Sequence, residues 1–245
     1  MIMPTELMQN EQKVQAPAMF NRIARRYDLL NRLLSGRRDV AWRKKMAGYL
    51  PPGKDLALID IATGTADQIL SLLEMSDRIT KVVGIDLSEG MLAEGRKKIT
   101  SRHLGGRVSL QLGDATRIPS GDETFDVATI SFGIRNVVDV NLALREMFRV
   151  LKPGGRALIL EFSIPGGRWV RAPYLFYFRH LLPRIGSLIS GDGDAYRYLN
   201  RTVEHFLSGE AFASLMRAVG FTVLAIDPLT FGVATIYAGE KPFQK

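Results

Sequence analysis

Short apolar runs alternate with stretches of helical periodicity along the middle of the chain. The runs cover residues 56–62, 81–87, 108–114, 125–132 and 156–163, and helical spacing of apolar positions fills 67–75, 88–102 and 141–151 between them. Strands covered on both faces need runs that are apolar almost throughout, and their alternation with helices implies βαβ units around a parallel sheet. A helix near 209–219 leads to two further runs, 222–226 and 233–238, joined by a short turn around Pro228 to Gly232. That pair predicts a hairpin, so the expected architecture is an α/β fold with a seven-stranded, mostly parallel sheet and an antiparallel edge strand.

Both flanks depart from this rhythm. Residues 1–15 are polar and predict a tail. Helical segments over 17–34 and 39–50, closed by Pro51-Pro52-Gly53, predict an N-terminal helical arm spanning 16–52. The remainder, 53–245, reads as one domain with an aromatic helical insertion at about 166–200, where Trp169, Tyr174, Phe176, Tyr177, Phe178, Leu181 and Leu182 sit among Arg168, Arg171, Arg179 and Arg184.

Composition narrows the chemistry. The 245 residues include no cysteine and three scattered histidines, which exclude a disulfide framework and a thiolate metal site and speak against a zinc site; no metal is expected. The start of the chain lacks the apolar core of an export signal, and no run reaches the roughly 18 apolar residues of a membrane span, so a cytoplasmic protein is expected. A net charge of +8 favours anionic partners. Much of the excess lies between Arg22 and Lys45, interleaved with Phe20, Tyr27, Leu29 and Trp42, as in an amphipathic helix with a basic face. Such a face is either simply solvated or in contact with an anionic partner, whether nucleic acid or the headgroups at the inner face of a membrane.

Candidate chemistry gathers at strand ends. In a doubly wound sheet, ligands bind at the carboxyl ends of the strands, and residues 60–67 (DIATGTAD) form the first such strand-to-helix loop. Gly64 lets the backbone approach a ligand closely, and the next helix offers free N–H groups near Thr65 and Ala66. Asp86 closes the second strand, where a carboxylate can accept from both hydroxyls of a ribose; the alternative is a helix cap, for which Ser88 is better placed. Asp114 ends the third strand and can accept from an adenine amino group beside the small Ala115, or cap its own loop. A nicotinamide site would need another glycine after Gly64, and no GxxxxGK[ST] run exists. With Asp60 at the first strand, the three carboxylates resemble a class I S-adenosylmethionine methyltransferase of Rossmann-like fold, whose ligand is cationic and carries no phosphate.

Two segments sharpen that resemblance: MFNRIARRYDLLNRLLS at 19–35 and RVLKPGGR at 149–156. With FGIRNV at 132–137, EFS at 161–163, LPRIGS at 182–187, YRYL at 196–199 and GVA at 232–234, they resemble the ubiquinone/menaquinone biosynthesis C-methyltransferases over nearly the whole chain from Ala16. The resemblance implies S-adenosyl-L-methionine as cofactor, with contacts on Thr65, Asp86, Asp114, Ala115 and Ser131. It also implies methyl transfer to a ring carbon of a demethylmenaquinol or of a related polyprenyl benzoquinol. Arg135 and Asn136 are then expected to stabilise a developing phenolate and assist proton removal, with Tyr27 and Asp28 closing the site; the plain alternative for Arg135 is an ion pair with Asp139. Ala66 departs from the family's second glycine and is expected to place a methyl group beside the methionine end of the ligand. Asp39 resembles the menaquinone branch more than the His-bearing ubiquinone branch. The aromatic insertion suits a flat ring with an isoprenoid tail. Without an RNA-binding module or a proline-aromatic turn after the fourth strand, a nucleic-acid substrate is not expected. A non-catalytic scaffold of a biosynthetic complex is the remaining rival, and oligomeric state is left open.

Overall fold

The computed structural model describes residues 4–181 and 202–243. Seven strands form one sheet in the order β3-β2-β1-β4-β5-β7-β6. The first five are β1 (Leu56–Ile61), β2 (Ile79–Asp86), β3 (Val108–Leu112), β4 (Phe125–Ser131) and β5 (Leu151–Phe162), all mutually parallel. The predicted antiparallel edge is present: β6 (Thr222–Leu229) and β7 (Ala234–Glu240) pair as a hairpin, and β7 slots between β5 and β6. Pro228, which cannot donate to a ladder, sits in β6, the edge strand.

Helices α3 (Asp67–Met75), α4 (Glu89–Ser101), α5 (Val140–Val150) and α7 (Glu210–Val219) cover the two faces, preceded by α1 (Pro4–Leu34) and α2 (Arg38–Lys45) and with α6 (Arg168–Phe176) following β5. One apolar layer joins Ile69 and Leu72 of α3 to Leu58, Val127 and Leu158; the other joins Leu144, Met147, Phe212 and Met216 to Ile59, Ala128 and Ile159. Each fully buried aliphatic side chain contributes roughly 1.5–3 kcal/mol, so the sheet centre is a stiff platform for the loops at its carboxyl ends.

Two boundaries differ from expectation. First, α1 is continuous from Pro4 and runs through Pro17, so helix replaces most of the predicted polar tail. Pro17 removes one backbone hydrogen bond but does not end the helix. Second, β5 begins at Leu151 instead of 156: Phe125 pairs with Leu151 and Val127 with Arg156, so Lys152 to Gly155 bulge out of register. Gly154 has φ +77°, and a Cβ on Gly155 would lie 2.8 Å from the Lys152 carbonyl, so the bulge needs both glycines. The insertion is helical where described, as α6 and a π-turn over Tyr177–Leu181; its remainder, with the LPRIGS and YRYL segments, lies outside the described residues.

Candidate functional site

A cavity of about 290 Å³ opens at the carboxyl ends of β1, β2, β3 and β4. Its floor includes Ala62, Gly64, Asp86, Asp114, Ala115 and Ser131, and Phe132, Gly133 and Asn136 close one side. Its roof is α1, through Lys13, Ala16, Pro17, Phe20 and Tyr27. Thus the arm is not a mere appendage: it completes the pocket.

The loop after β1 is held from below. Asp60 is buried and accepts from Thr63 Oγ1 at 2.7 Å and Thr129 Oγ1 at 2.5 Å. Burial pushes its carboxyl up to about 6, against those hydroxyl bonds and the charge of Arg43. Asp60 is not among the residues that line the cavity, and its two hydroxyl bonds fix the turn beneath it. Thr63 N–H donates to Ile85 O at 2.9 Å, and Gly64 takes φ +55° under Tyr27, whose ring carbon lies 3.9 Å from where a Cβ would stand. Gly133 is needed for a separate reason: a Cβ there would meet that of Ala62 at 2.7 Å. Ala62 (φ 49°) and Phe132 (φ 59°) both adopt left-handed backbone at the cavity wall, a conformation that costs about 1–3 kcal/mol and concentrates at binding sites.

Thr65 and Ala66 are likewise not among the residues that line the cavity. Thr65 Oγ1 donates to Asp28 at 2.6 Å and accepts from Lys98 Nζ at 2.9 Å, away from the cavity. Lys98 also pairs with Asp28 at 2.5 Å and Asp67 at 2.6 Å, so this buried hydroxyl clamps α1 to the loop. Burial alone would raise Asp67, but Lys98, Arg43 and Arg32 together hold it below its ordinary value. Ala66 is fully buried in the core with φ 65°, so its methyl group faces the packed interior and not a ligand.

Asp86, Asp114, Ala115 and Ser131 do line the cavity. Gly64 N–H and Ser88 N–H each bond one Asp86 oxygen at 2.8 Å, so both oxygens keep acceptor capacity. Burial outweighs these bonds and raises the Asp86 carboxyl. The cap of α4 falls to Ser88, which accepts from Met91 N–H. Asp114 Oδ1 accepts from Thr116 N–H at 2.8 Å, a loop cap that leaves Oδ2 for a ligand. Ser131 Oγ donates to Gln68 Oε1 at 2.9 Å.

On the far side of Phe132 the short turn Ile134–Asn136 carries Arg135, which is 5% exposed. Its Nη1 donates to Phe132 O at 2.7 Å and to Glu161 Oε1 at 2.5 Å, while its backbone N–H approaches Glu161 Oε2 at 3.3 Å. The partner is therefore Glu161 at the end of β5; Asp139 instead caps α5 through Leu142 N–H at 2.9 Å. Among the described residues, Arg135 Nε and Asn136 Oδ1 are buried with no hydrogen-bond partner. Burial raises the Tyr27 phenol, opposed by a bond to Asn31 and by the charges of Arg135 and Arg43.

Sequence reasoning missed Lys13, whose Nζ donates to Val137 O at 2.9 Å, because it lay in the presumed tail. It gave Glu161 no role, although a lone acid inside the apolar run ALILEF is a signal that it has a buried partner.

Comparison with solved structures places the fold. A SAM-dependent methyltransferase of Thermotoga maritima matches with a TM-score of 0.63 at 21% identity, covering 91% of this chain and 98% of the other. The [4+2]-cyclase SpnF matches at 0.68 with 17% identity, covering 94% and 96%. A cyclase and a methyltransferase on one fold show that the architecture alone does not set the reaction. Sequence relatives are more telling: a protein of Geobacter sulfurreducens named ubiquinone/menaquinone biosynthesis C-methyltransferase is 48% identical over 91% of this chain and 87% of its own length. A demethylmenaquinone methyltransferase of Thermus thermophilus is 44% identical over 91% of this chain and 100% of its own. The model of the ubiE/COQ5 methyltransferase family matches residues 6–241, and the chain belongs to that family.

Proposed function

We propose that this chain, an S-adenosylmethionine-dependent C-methyltransferase of quinone biosynthesis, acts on the ring carbon of a demethylmenaquinol. The cavity suits the cofactor: Gly64 keeps one wall bare, and the Asp86 and Asp114 carboxylates offer acceptors for ribose hydroxyls and an adenine amino group near a cationic ligand. When bound, S-adenosylmethionine supplies a methyl group on a sulfonium, which is already a good leaving group. Orientation and electrostatics remain for the protein.

The observation that carries the acceptor site is the unpartnered pair of buried atoms, Arg135 Nε and Asn136 Oδ1, beside the cavity. A phenolic hydroxyl titrates near 10 in water. A fixed guanidinium stabilises the phenolate that forms as its proton leaves, and the adjacent ring carbon becomes nucleophilic. That carbon takes the methyl group and then loses its own proton to restore aromaticity. Tyr27 and Asn136 border the same space. Asp39, which resembles the menaquinone branch of the family and whose oxygens accept from Arg32 and Ser35, supports the naphthoquinol over the benzoquinol by that resemblance. Labelled cofactor with short-chain demethylmenaquinol and with the matching benzoquinol tests the choice: faster turnover of the naphthoquinol is expected, and preference for the benzoquinol overturns it.

We propose further that the substrate is drawn from an anionic membrane surface. Among the described residues no helix is long and apolar enough to cross a bilayer. Yet Trp169 is 94% and Phe231 81% exposed, and Ser163 Oγ, bonded to Gly232 O at 2.8 Å, ties the Phe231 turn to the site end of β5. Trp169, two residues from the exposed Arg171 on α6, and the exposed Phe231 turn fit a headgroup boundary. Flotation with anionic liposomes is expected for the wild type and reduced in Trp169→Ser/Phe231→Ser; equal flotation on neutral liposomes refutes the electrostatic part.

A further inference from the structure

Ser131, the last residue of β4, lines the cavity with a hydroxyl whose polarity is set from behind. Its Oγ donates to Gln68 Oε1 at 2.9 Å and lies 3.5 Å from Met46 Sδ. The amide of Gln68 is held this way round by its nitrogen, which donates to the Arg43 carbonyl oxygen at 3.4 Å; turned over, it would set two acceptors against each other. Gln68, on α3, is buried, as is Met46, and neither lines the cavity. An amide oxygen and a thioether sulfur carry no proton. The single proton of the Ser131 hydroxyl therefore points into the protein, and what it can offer to the cavity is a lone pair.

Strand order says which part of the cofactor meets that lone pair. Along the cavity the strands follow as β3, β2, β1 and β4. With the adenine amino group at Asp114 after β3 and the ribose at Asp86 on β2, the rest of the cofactor runs on over β1 and brings its methionine end to β4. Ile61 pairs with Ile130, so Ser131 stands level with Ala62, the cavity residue at the start of the loop that carries Gly64. The methionine end has one kind of donor, its α-ammonium group; the carboxylate and the sulfonium have no N–H or O–H to give. Resting on the placement of adenine and ribose proposed above, we infer that Ser131 Oγ accepts from the α-ammonium of the cofactor and that Gln68 is the positioning residue that keeps it an acceptor. A charged donor makes such a bond stronger than a neutral one. The pair recognises the amino group, which the cofactor shares with its demethylated product, and discriminates against ligands that lack it.

Calorimetry with S-adenosylhomocysteine, the demethylated product, and with its des-amino analogue tests this without turnover. A hydrogen bond to a charged group is worth about 10- to 100-fold in affinity, so the wild type should favour the amino ligand by at least the lower factor. Ser131→Ala should cut that preference by about tenfold or more, by weakening the amino ligand alone. Gln68→Leu frees the hydroxyl proton to turn towards the cavity and should cut it by about 3- to 10-fold. Gln68→Glu, which in either protonation state keeps an oxygen to accept from Ser131, should retain it; a glutamine that merely packed would alter both ligands alike. Equal binding of the two ligands by the wild type overturns the inference, as does a folded Ser131→Ala protein with the wild-type preference. A folded Gln68→Leu protein with that preference overturns the part given to Gln68. Asp86→Ala should weaken both ligands equally; if it weakens neither, the placement of the ribose is what has failed.

Discussion

Arg135→Ala is expected to lower turnover of demethylmenaquinol by about 10²- to 10³-fold, the usual loss when a preorganised oxyanion partner is removed, while calorimetry finds cofactor affinity unchanged. The asymmetry follows from position. Arg135 stands beyond Phe132 and Phe162, on the side proposed for the acceptor, whereas Asp86 lines the cavity proposed for the cofactor. Asp86→Ala should give the mirror image, a weakened cofactor complex as its primary effect. The alanine at 135 also strands Glu161, so lost activity could reflect lost structure. Arg135→Met/Glu161→Leu removes both buried charges; it should fold, bind cofactor and remain as inactive as the single variant. Full activity in either variant refutes the role given to Arg135.

Much of this arrangement was legible in the sequence, for reasons that also mark where legibility ends. Strands β1, β2 and β4 could be read because burial on both faces forces nearly unbroken apolar runs, and strand ends in a doubly wound sheet are where ligands sit. Asp86, Asp114 and Ala115 follow from that rule and Ser131 from the family resemblance, and all four line the cavity. Asp60, Thr65 and Ala66 belong to the same loop, but proximity along the chain does not say which way a side chain faces. Left-handed backbone at Ala66 and the Asp28-Lys98 clamp on Thr65 turn both inward, and these depend on contacts from α1 and α4. The first half of α1 was hidden because its polar composition and Pro17 imitate a tail. The roof of the pocket therefore went unread while its floor did not.

The Arg135–Glu161 pair is the strongest case of a contact that sequence separation conceals, since 26 residues divide its members. Parallel pairing of Ser131 with Leu160 brings the turn after β4 beside Glu161. Burial raises the Glu161 carboxyl above its ordinary value in spite of Arg135 and two backbone N–H bonds. A folded-state pKa above the unfolded one means that this group's stabilising contribution is present below the unfolded pKa and is lost as pH rises through the folded pKa. An ion pair buried this deeply is commonly no asset relative to a well-packed apolar pair, because both charges lose their hydration. Breaking it is another matter. Glu161→Leu leaves a guanidinium buried without its anion and should destabilise the fold by about 3–5 kcal/mol, a fall in Tm of roughly 10 °C for a domain of this size. Adding Arg135→Met should restore wild-type stability or exceed it by about 1–4 kcal/mol. Denaturant midpoints decide the matter: a Glu161→Leu protein as stable as wild type would show that the pair holds nothing, and an unrecovered double variant would show that the loss lies in packing. Recovery of stability without recovery of turnover means that the pair is kept for what Arg135 does to the quinol oxygen, at no gain to the fold.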